Sequence, residues 1–139
     1  MTIKHFTATK AFLKRDGKIL LLHESSKYSD GNNLAQYDVP GGRIEDGEEL
    51  HDALRREIFE ESGLGFSSPA PFYENVIHIP RGDDIWEIRR IYYACDADEG
   101  DVVLSNDHDD FQWINPAHYT QINIITDLKE IFDAYLLRD

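Results

Sequence analysis

One stretch of the chain, GRIEDGEELHDALRREIFEESGL at residues 42–64, constrains the fold more than any other. It follows Pro40-Gly41, two residues that interrupt regular structure. Within it, apolar residues recur at 50, 54 and 58, which predicts a helix over residues 49–62. Gly63 is well placed to end that helix in a left-handed conformation. The sequence therefore predicts a glycine turn that leads directly into an amphipathic helix.

The segments on either side have the patterns of strands. Asp16-Gly17 predicts a hairpin turn, and apolar residues at 124, 128, 131, 132, 135 and 136 predict a second helix over residues 124–137. We predict strands over residues 6–14, 18–23, 37–39, 72–79, 85–95 and 111–114, with loops over 25–36 and 96–110. This order predicts a single domain over residues 1–139, of α+β class, with a mixed β-sheet sandwiched between α-helices.

The charge of the chain restricts its partners. With 14 Lys and Arg against 27 Asp and Glu, the net charge is −13, which disfavours long nucleic acid as a partner. A small phosphorylated substrate would also be repelled unless bound cations reversed the local sign. The apolar runs are short and residues 1–5 lack the core of a secretory signal, so we expect no membrane span. A single cysteine, Cys95, permits no internal disulfide and fits a cytoplasmic location.

Three glutamates of the predicted helix, Glu57, Glu60 and Glu61, fall within an arc of about 100° on one face. Like charges this close repel each other unless they are solvated or bind a hard cation such as Mg²⁺ or Mn²⁺. A solvated acidic face, with Arg55 and Arg56 as ion-pair partners, is the alternative. The glycine turn upstream favours a ligand site, because a backbone without Cβ atoms allows close approach.

The same segment resembles the Nudix box of the Nudix hydrolase family (MutT-like), G-x5-E-x7-R-E-U-x-E-E-x-G-U, where U is aliphatic. Each specified position of that pattern is filled without a gap, by Gly42, Glu48, Arg56, Glu57, Ile58, Glu60, Glu61, Gly63 and Leu64. The preceding residues 37–41 also resemble the family's usual approach to the box. The resemblance implies the family's fold, a mixed sheet between helices.

The resemblance also implies hydrolysis of a nucleoside diphosphate linked to another moiety, with water attacking phosphorus. By position, Glu57, Glu60 and Glu61 would bind Mg²⁺ or Mn²⁺, and Gly42 would offer its carbonyl to a metal. Glu48 would assist, and Arg56 would orient a carboxylate. The general base would be a box glutamate or a later carboxylate. Similar proteins often carry a glutamate shortly before a tryptophan, so the later candidates are Asp107 and Asp110, just before Trp113; a solvated acidic loop is the alternative. His108 is expected to lie on that loop without binding a metal.

Substrate contacts are expected from aromatic and guanidinium groups, since these stack on nucleobases. The candidates are Tyr37, Trp86 and Arg90, with Tyr28 and Tyr92 behind them, while Arg43 and Arg81 are candidates for phosphate. Packing in the core or a dimer is the alternative for Trp86 and Tyr92, and Trp113 is expected to pack near the last helix. Nucleoside triphosphates and ADP-ribose are both plausible substrates. A catalytically silent nucleotide sensor is the alternative function, and a homodimer is possible because dimers are common among similar proteins.

Overall fold

The computed structural model describes residues 1–25 and 36–138. Its strands are β1 (Thr2–Arg15), β2 (Lys18–Glu24), β3 (Tyr37–Asp38), β4 (Gly41–Arg43), β5 (Phe66–Arg81), β6 (Asp84–Ala97) and β7 (His108–Ile114). Its helices are α1 (Leu50–Ser62), a 3₁₀ helix (Pro116–Gln121) and α2 (Leu128–Leu137). Each predicted strand is present, and most extend beyond the predicted ends.

The strands form one mixed sheet in which β1 is central. The order is β3-β2-β1-β6-β5; β4 also pairs with β1, and β7 pairs with β2. β1 and β6 run parallel, whereas the pairs β1–β2, β1–β4 and β5–β6 are antiparallel. Because β2 pairs with β1 only at residues 14–15, β4 pairs with β1 farther back, at residues 8–10. The glycine turn is therefore held beside the middle of β1.

Side chains that alternate along the strands supply two separate apolar cores. On one face, Ala11 and Leu13 of β1 pack with Leu54 and Ile58 of α1. On the other face, Phe12 packs with residues of α2. Full burial of a Leu or Ile side chain contributes about 1.5–3 kcal/mol. The sheet is therefore sandwiched between α1 and α2, as predicted.

The start of the second helix was predicted wrongly. Ile124 and Ile125 are buried in the core on the α2 face, but they precede the helix, and Ile124 forms a β-bridge with Tyr37. Helix α2 begins at Leu128, so the apolar spacing at 124 reflected a buried connection rather than a helical turn.

The expected packing of Trp113 near the last helix was also wrong. Trp113 packs against the core that contains α1, and the guanidinium of Arg15 lies 4.8 Å from the centre of its ring. The alternation of β7 explains this, because Ile114 next to it points to the α2 face.

Within the described residues, no helix has the length and apolar character needed to cross a membrane.

Candidate active site

The glycine turn and α1 meet at two of the predicted carboxylates. The backbone N–H of Gly41 donates to Oε1 of Glu61 at 2.7 Å. A Cβ placed on Gly42 would lie 2.5 Å from the carboxylate of Glu57. Gly41 has φ 146° and faces the carbonyl of Thr9, which would lie 2.2 Å from a Cβ. Only glycine fits at these two positions without displacing a neighbour, so the turn brings bare backbone against the acidic face of the helix.

Arg56 organises the carboxylates around it. It binds Glu48 with two hydrogen bonds, from Nε at 2.7 Å and from Nη2 at 2.9 Å. Its Nη1 donates to Glu57 at 3.0 Å and reaches Glu60 at 3.4 Å, and its Nη2 donates to the carbonyl of Arg43 at 3.2 Å. The hydrogen bond from Arg56 lowers the pKa of Glu48 to about 2. One guanidinium thus fixes three of the predicted site glutamates.

Glu61 lies in a different environment, toward the sheet. Burial raises its pKa to about 7, although the ammonium of Lys10 and the Gly41 hydrogen bond both act in the opposite direction. Burial also raises the pKa of Glu57, against the effect of Arg56. Lys10 binds Asp38 at 3.0 Å. Burial alone would lower the pKa of Lys10, but Asp38 and other neighbours outweigh it and raise that pKa. The carboxylates nearest the sheet are therefore short of compensating positive charge.

The donor set fits a hard divalent cation in chemistry. Carboxylate oxygens and a backbone carbonyl are the ligands that Mg²⁺ and Mn²⁺ prefer, and the Glu57 carboxylate lies against the Gly42 backbone where a Cβ would clash with it. Over residues 1–25 and 36–138, however, no group of three or more His, Cys, Asp or Glu side chains is arranged to hold a metal ion. Arg56 lies among Glu48, Glu57 and Glu60, and Glu61 binds Gly41 instead.

The later acidic residues lie beside β2 and β3. Asp110 accepts a hydrogen bond from the hydroxyl of Tyr37 at 3.0 Å, which brings two of the predicted site residues together. The carbonyl of Asp107 accepts from the backbone of Ser25. His108 is half-buried, its pKa is lowered by burial, and its Nδ1 finds no partner among the described residues. Asp110 is thus held by Tyr37 of β3, and the backbone of Asp107 by the residue that follows β2.

Arg90 is buried, and carboxylate and amide groups hold it. It donates to Asp127 at 2.5 Å and to Asn75 at 3.0 Å, and it lies over the ring of Tyr92 at 5.7 Å. Tyr92 is fully buried, which agrees with core packing, yet its hydroxyl has no partner within the described part of the chain. Arg90 thus ties β6 to the residue that precedes α2.

Arg43 and Trp86 come together on the other side of the box. The Arg43 guanidinium lies 4.7 Å from the Trp86 ring centre and 4.6 Å from that of Phe6, and the two rings are 4.9 Å apart. Arg81 also lies over Trp86, at 5.2 Å. A cavity of about 390 Å³ opens beside this group, lined by Phe6, Arg43, Ile44, Glu45, Asp46 and Glu57.

Three residues of these surroundings were not identified from the sequence: Phe6, Lys10 and Asp38. Lys10 gave a signal, because it stands between Ala8 and Phe12 on one face of a predicted strand. Phe6 gave none, since only the pairing of β1 with its neighbours places it near Arg43. Tyr28, a candidate for stacking, lies outside the described residues.

Comparison with known proteins decides the family. Residues 4–135 match the NUDIX domain. The chain belongs to the Nudix family. It is 31% identical over 121 residues to the nucleoside triphosphatase NudI of Escherichia fergusonii, an alignment that covers 81% of this chain and 83% of that one. It is likewise 31% identical over 126 residues to the NudI of Salmonella typhimurium, covering 82% and 86%.

Solved structures agree on the fold. The MutT protein of Bacillus halodurans superposes with a TM-score of 0.78 at 20% identity, over 96% of this chain and 84% of that one. The ORF135 protein of E. coli gives 0.76 at 21% identity, over 96% and 90%. The predicted family and fold are confirmed, and with them the enzyme class: the chain is a Nudix pyrophosphohydrolase that acts on a nucleotide diphosphate linkage.

Proposed function

We propose that this Nudix protein hydrolyses a nucleoside triphosphate to a nucleoside monophosphate and pyrophosphate, and that it requires Mg²⁺ or Mn²⁺. The curated relatives at about 30% identity are named nucleoside triphosphatases, which favours this substrate over ADP-ribose. The observation that supports the proposal is the contact of the glycine turn with Glu57 and Glu61, because it brings bare backbone against two box carboxylates.

Within that space the box residues have separate roles. Glu57, Glu60 and Glu61 would hold the divalent ions, together with the carbonyl of Gly42. Bound metal supplies a Lewis acid for the phosphate oxygens and lowers the pKa of a water molecule. Arg56 is a positioning residue that keeps Glu48 and Glu57 in place through charge-assisted hydrogen bonds.

The general base is proposed to come from Asp107 or Asp110, with a box glutamate as the competing choice. Asp110 is anchored by Tyr37, so its carboxylate is oriented before substrate arrives. Asp107→Asn and Asp110→Asn separate the candidates. The variant that removes the true base should lose at least about 100-fold in kcat, and the acidic limb of its pH–rate profile should become flat. If neither variant loses this much, the base is a box glutamate.

The substrate groups are proposed to divide between the two sides of the box. Tyr37 on β3 and Arg90 on β6 would contact the nucleoside; Arg43, with Trp86 beneath its guanidinium, would be on the phosphate side. Both Tyr37 and Arg90 already hydrogen-bond to carboxylates, which limits their motion.

The test is a hydrolysis screen of nucleoside triphosphates, ADP-ribose, nucleotide sugars and dinucleoside polyphosphates with Mg²⁺ and with Mn²⁺. We expect nucleoside triphosphates to be cleaved best, with monophosphate and pyrophosphate as products and no turnover in excess chelator. Glu57→Gln and Glu61→Gln should abolish turnover, whereas Glu74→Gln, a matched change at a glutamate paired with Arg89 on the sheet, should not.

Two outcomes would contradict the proposal. Full activity of Glu61→Gln in chelator would exclude metal catalysis by the box. Nucleotide binding without turnover of any substrate would favour the alternative function, a catalytically silent nucleotide sensor. The expected cytoplasmic location and homodimer are tested separately, by cell fractionation and by light scattering.

A further inference from the structure

The group formed by Phe6, Arg43 and Trp86, here called the arginine stack, has a geometry that selects its ligand. Arg43 lies over both rings, at 4.6 and 4.7 Å from their centres, and Arg81 lies over Trp86 as well. The ring face that lies under a guanidinium group is not available to stack on a nucleobase. Arg43 is exposed, and the edge of a guanidinium carries N–H groups that match the oxygens of a phosphate.

The charges around the adjacent cavity point the same way. Among the described residues that line it, Arg43 alone is basic, while Glu45, Asp46 and Glu57 are acidic. Glu57 belongs to the proposed metal site, and Glu45 and Asp46 are exposed to solvent, which screens their charge. An anion entering this cavity therefore has two sources of attraction: the divalent ions at the box and the guanidinium of Arg43.

The backbone links the stack to the box. The carbonyl of Arg43 accepts a hydrogen bond from Arg56, and the preceding residue, Gly42, touches Glu57. The position of the Arg43 side chain is set by the two rings, since cation–π contacts hold the guanidinium plane. Phe6 and Trp86 come from neighbouring parallel strands, so the stack is fixed by the sheet rather than by a loop.

We infer that Arg43, held by Phe6 and Trp86, is the residue that recognises the terminal phosphates of the substrate, which leave as pyrophosphate. This inference rests on the proposed function. It assigns Trp86 a positioning role in place of base stacking, and it favours substrates that end in phosphate over nucleotide sugars, whose corresponding end is neutral. The terminal phosphates carry more negative charge than the α-phosphate, so their binding is strengthened most by the nearby guanidinium.

The two products allow a direct test because they bind without turnover. Calorimetry with Mg²⁺ present would measure the affinity for inorganic pyrophosphate and for nucleoside monophosphate. For Arg43→Gln we expect pyrophosphate affinity to fall by about 10- to 100-fold, and monophosphate affinity to change by less than about twofold. Arg43→Lys should restore part of the loss, since it keeps the charge but not the planar edge.

Trp86→Leu tests the positioning role, because it leaves Arg43 in place without its platform. We expect it to weaken pyrophosphate binding and raise KM for the triphosphate, with kcat nearly unchanged. Arg89→Gln is the matched control: Arg89 lies on the opposite face of β6, paired with Glu74, and its loss removes the same charge. Thermal unfolding of each variant shows whether the fold is intact.

An unchanged pyrophosphate affinity in Arg43→Gln overturns the inference, and so does an equal loss for both products. An equal loss in Arg89→Gln would reduce the effect to net charge and would also overturn it. Hydrolysis by the wild-type protein is measured in parallel. Its absence would refute the proposed function, whereas normal hydrolysis with an insensitive Arg43→Gln protein would refute only the assignment of the stack.

Discussion

Glu61→Gln should stabilise the metal-free protein, although the same change should abolish activity. The pKa of Glu61 is raised from 4.5 to about 7, first by burial and then by Glu57 and Asp38. Between these two pH values the folded protein binds more protons than the unfolded chain, so its stability falls as the pH rises. Glutamine carries no charge at any pH and still accepts from the N–H of Gly41.

The magnitude follows from the two pKa values. Each unit of difference corresponds to about 1.36 kcal/mol, so the ionised Glu61 costs on the order of 3 kcal/mol above pH 8 and under about 1 kcal/mol at pH 5. The stability difference between Glu61→Gln and wild type should therefore grow by on the order of 2 kcal/mol from pH 5 to pH 8. Titrating groups that do not interact with Glu61 occur in both proteins and cancel in the difference.

The assay is urea unfolding in chelator at several pH values, repeated with saturating Mg²⁺. Saturating metal at 100 times Kd stabilises the wild-type fold by about 2.7 kcal/mol, so the stability advantage of the variant, which should bind metal more weakly, should shrink by up to that amount. Glu74→Gln is the control. Because Arg89 lowers the pKa of Glu74, the ionised Glu74 contributes to folding stability above pH 4.5, and this contribution is lost as the pH falls. If the free energy of unfolding in chelator changes with pH in the same way for wild type and Glu61→Gln, the reasoning is refuted.

Three further changes test the arrangement of the box. Gly42→Ala should displace the carboxylate of Glu57, which would lie 2.5 Å from the new Cβ; because that carboxylate is the end of a flexible side chain, we expect thermal stability near wild type and kcat reduced by about 100-fold. Arg56→Gln should release Glu48, whose pKa of about 2 would then rise. Kinetics measured over a metal titration should show activity reduced by about 10- to 100-fold. Leu54→Ala removes a fully buried side chain of α1 and should cost about 2–5 kcal/mol in urea unfolding, with activity retained at low temperature.

The features found from the sequence are those that depend on local signals. Helix α1 was predicted to its last residue because Gly63 follows it with φ 73°, a conformation that glycine adopts without strain. The acidic face of α1 followed from the helical repeat alone. The contacts of Glu57 and Glu61 with the glycine turn agree with the spacing of the box, since turn and helix are close in sequence.

Features that depend on distant pairing were missed. The arginine stack requires β1 and β6 to lie side by side in parallel, with Lys4 opposite Trp86, and no local pattern specifies that register. The ion pair of Lys10 with Asp38 likewise joins two segments through the sheet. Residues 124–125 gave a false helical signal because burial, not helix formation, selected their apolar side chains.

The balance of charge around the glycine turn explains why a protein of net charge −13 can act on an anionic substrate. Among the described residues, six carboxylates there share two cations: Asp38, Glu45, Glu48, Glu57, Glu60 and Glu61 against Lys10 and Arg56. Arg56 is largely committed to Glu48, so the deficit is concentrated at Glu57 and Glu61, the two carboxylates in contact with the turn. A divalent ion at this point would remove the repulsion that burial makes costly and would create the positive field that phosphate needs. A metal bound here would therefore set stability without metal against affinity for metal at the same two side chains.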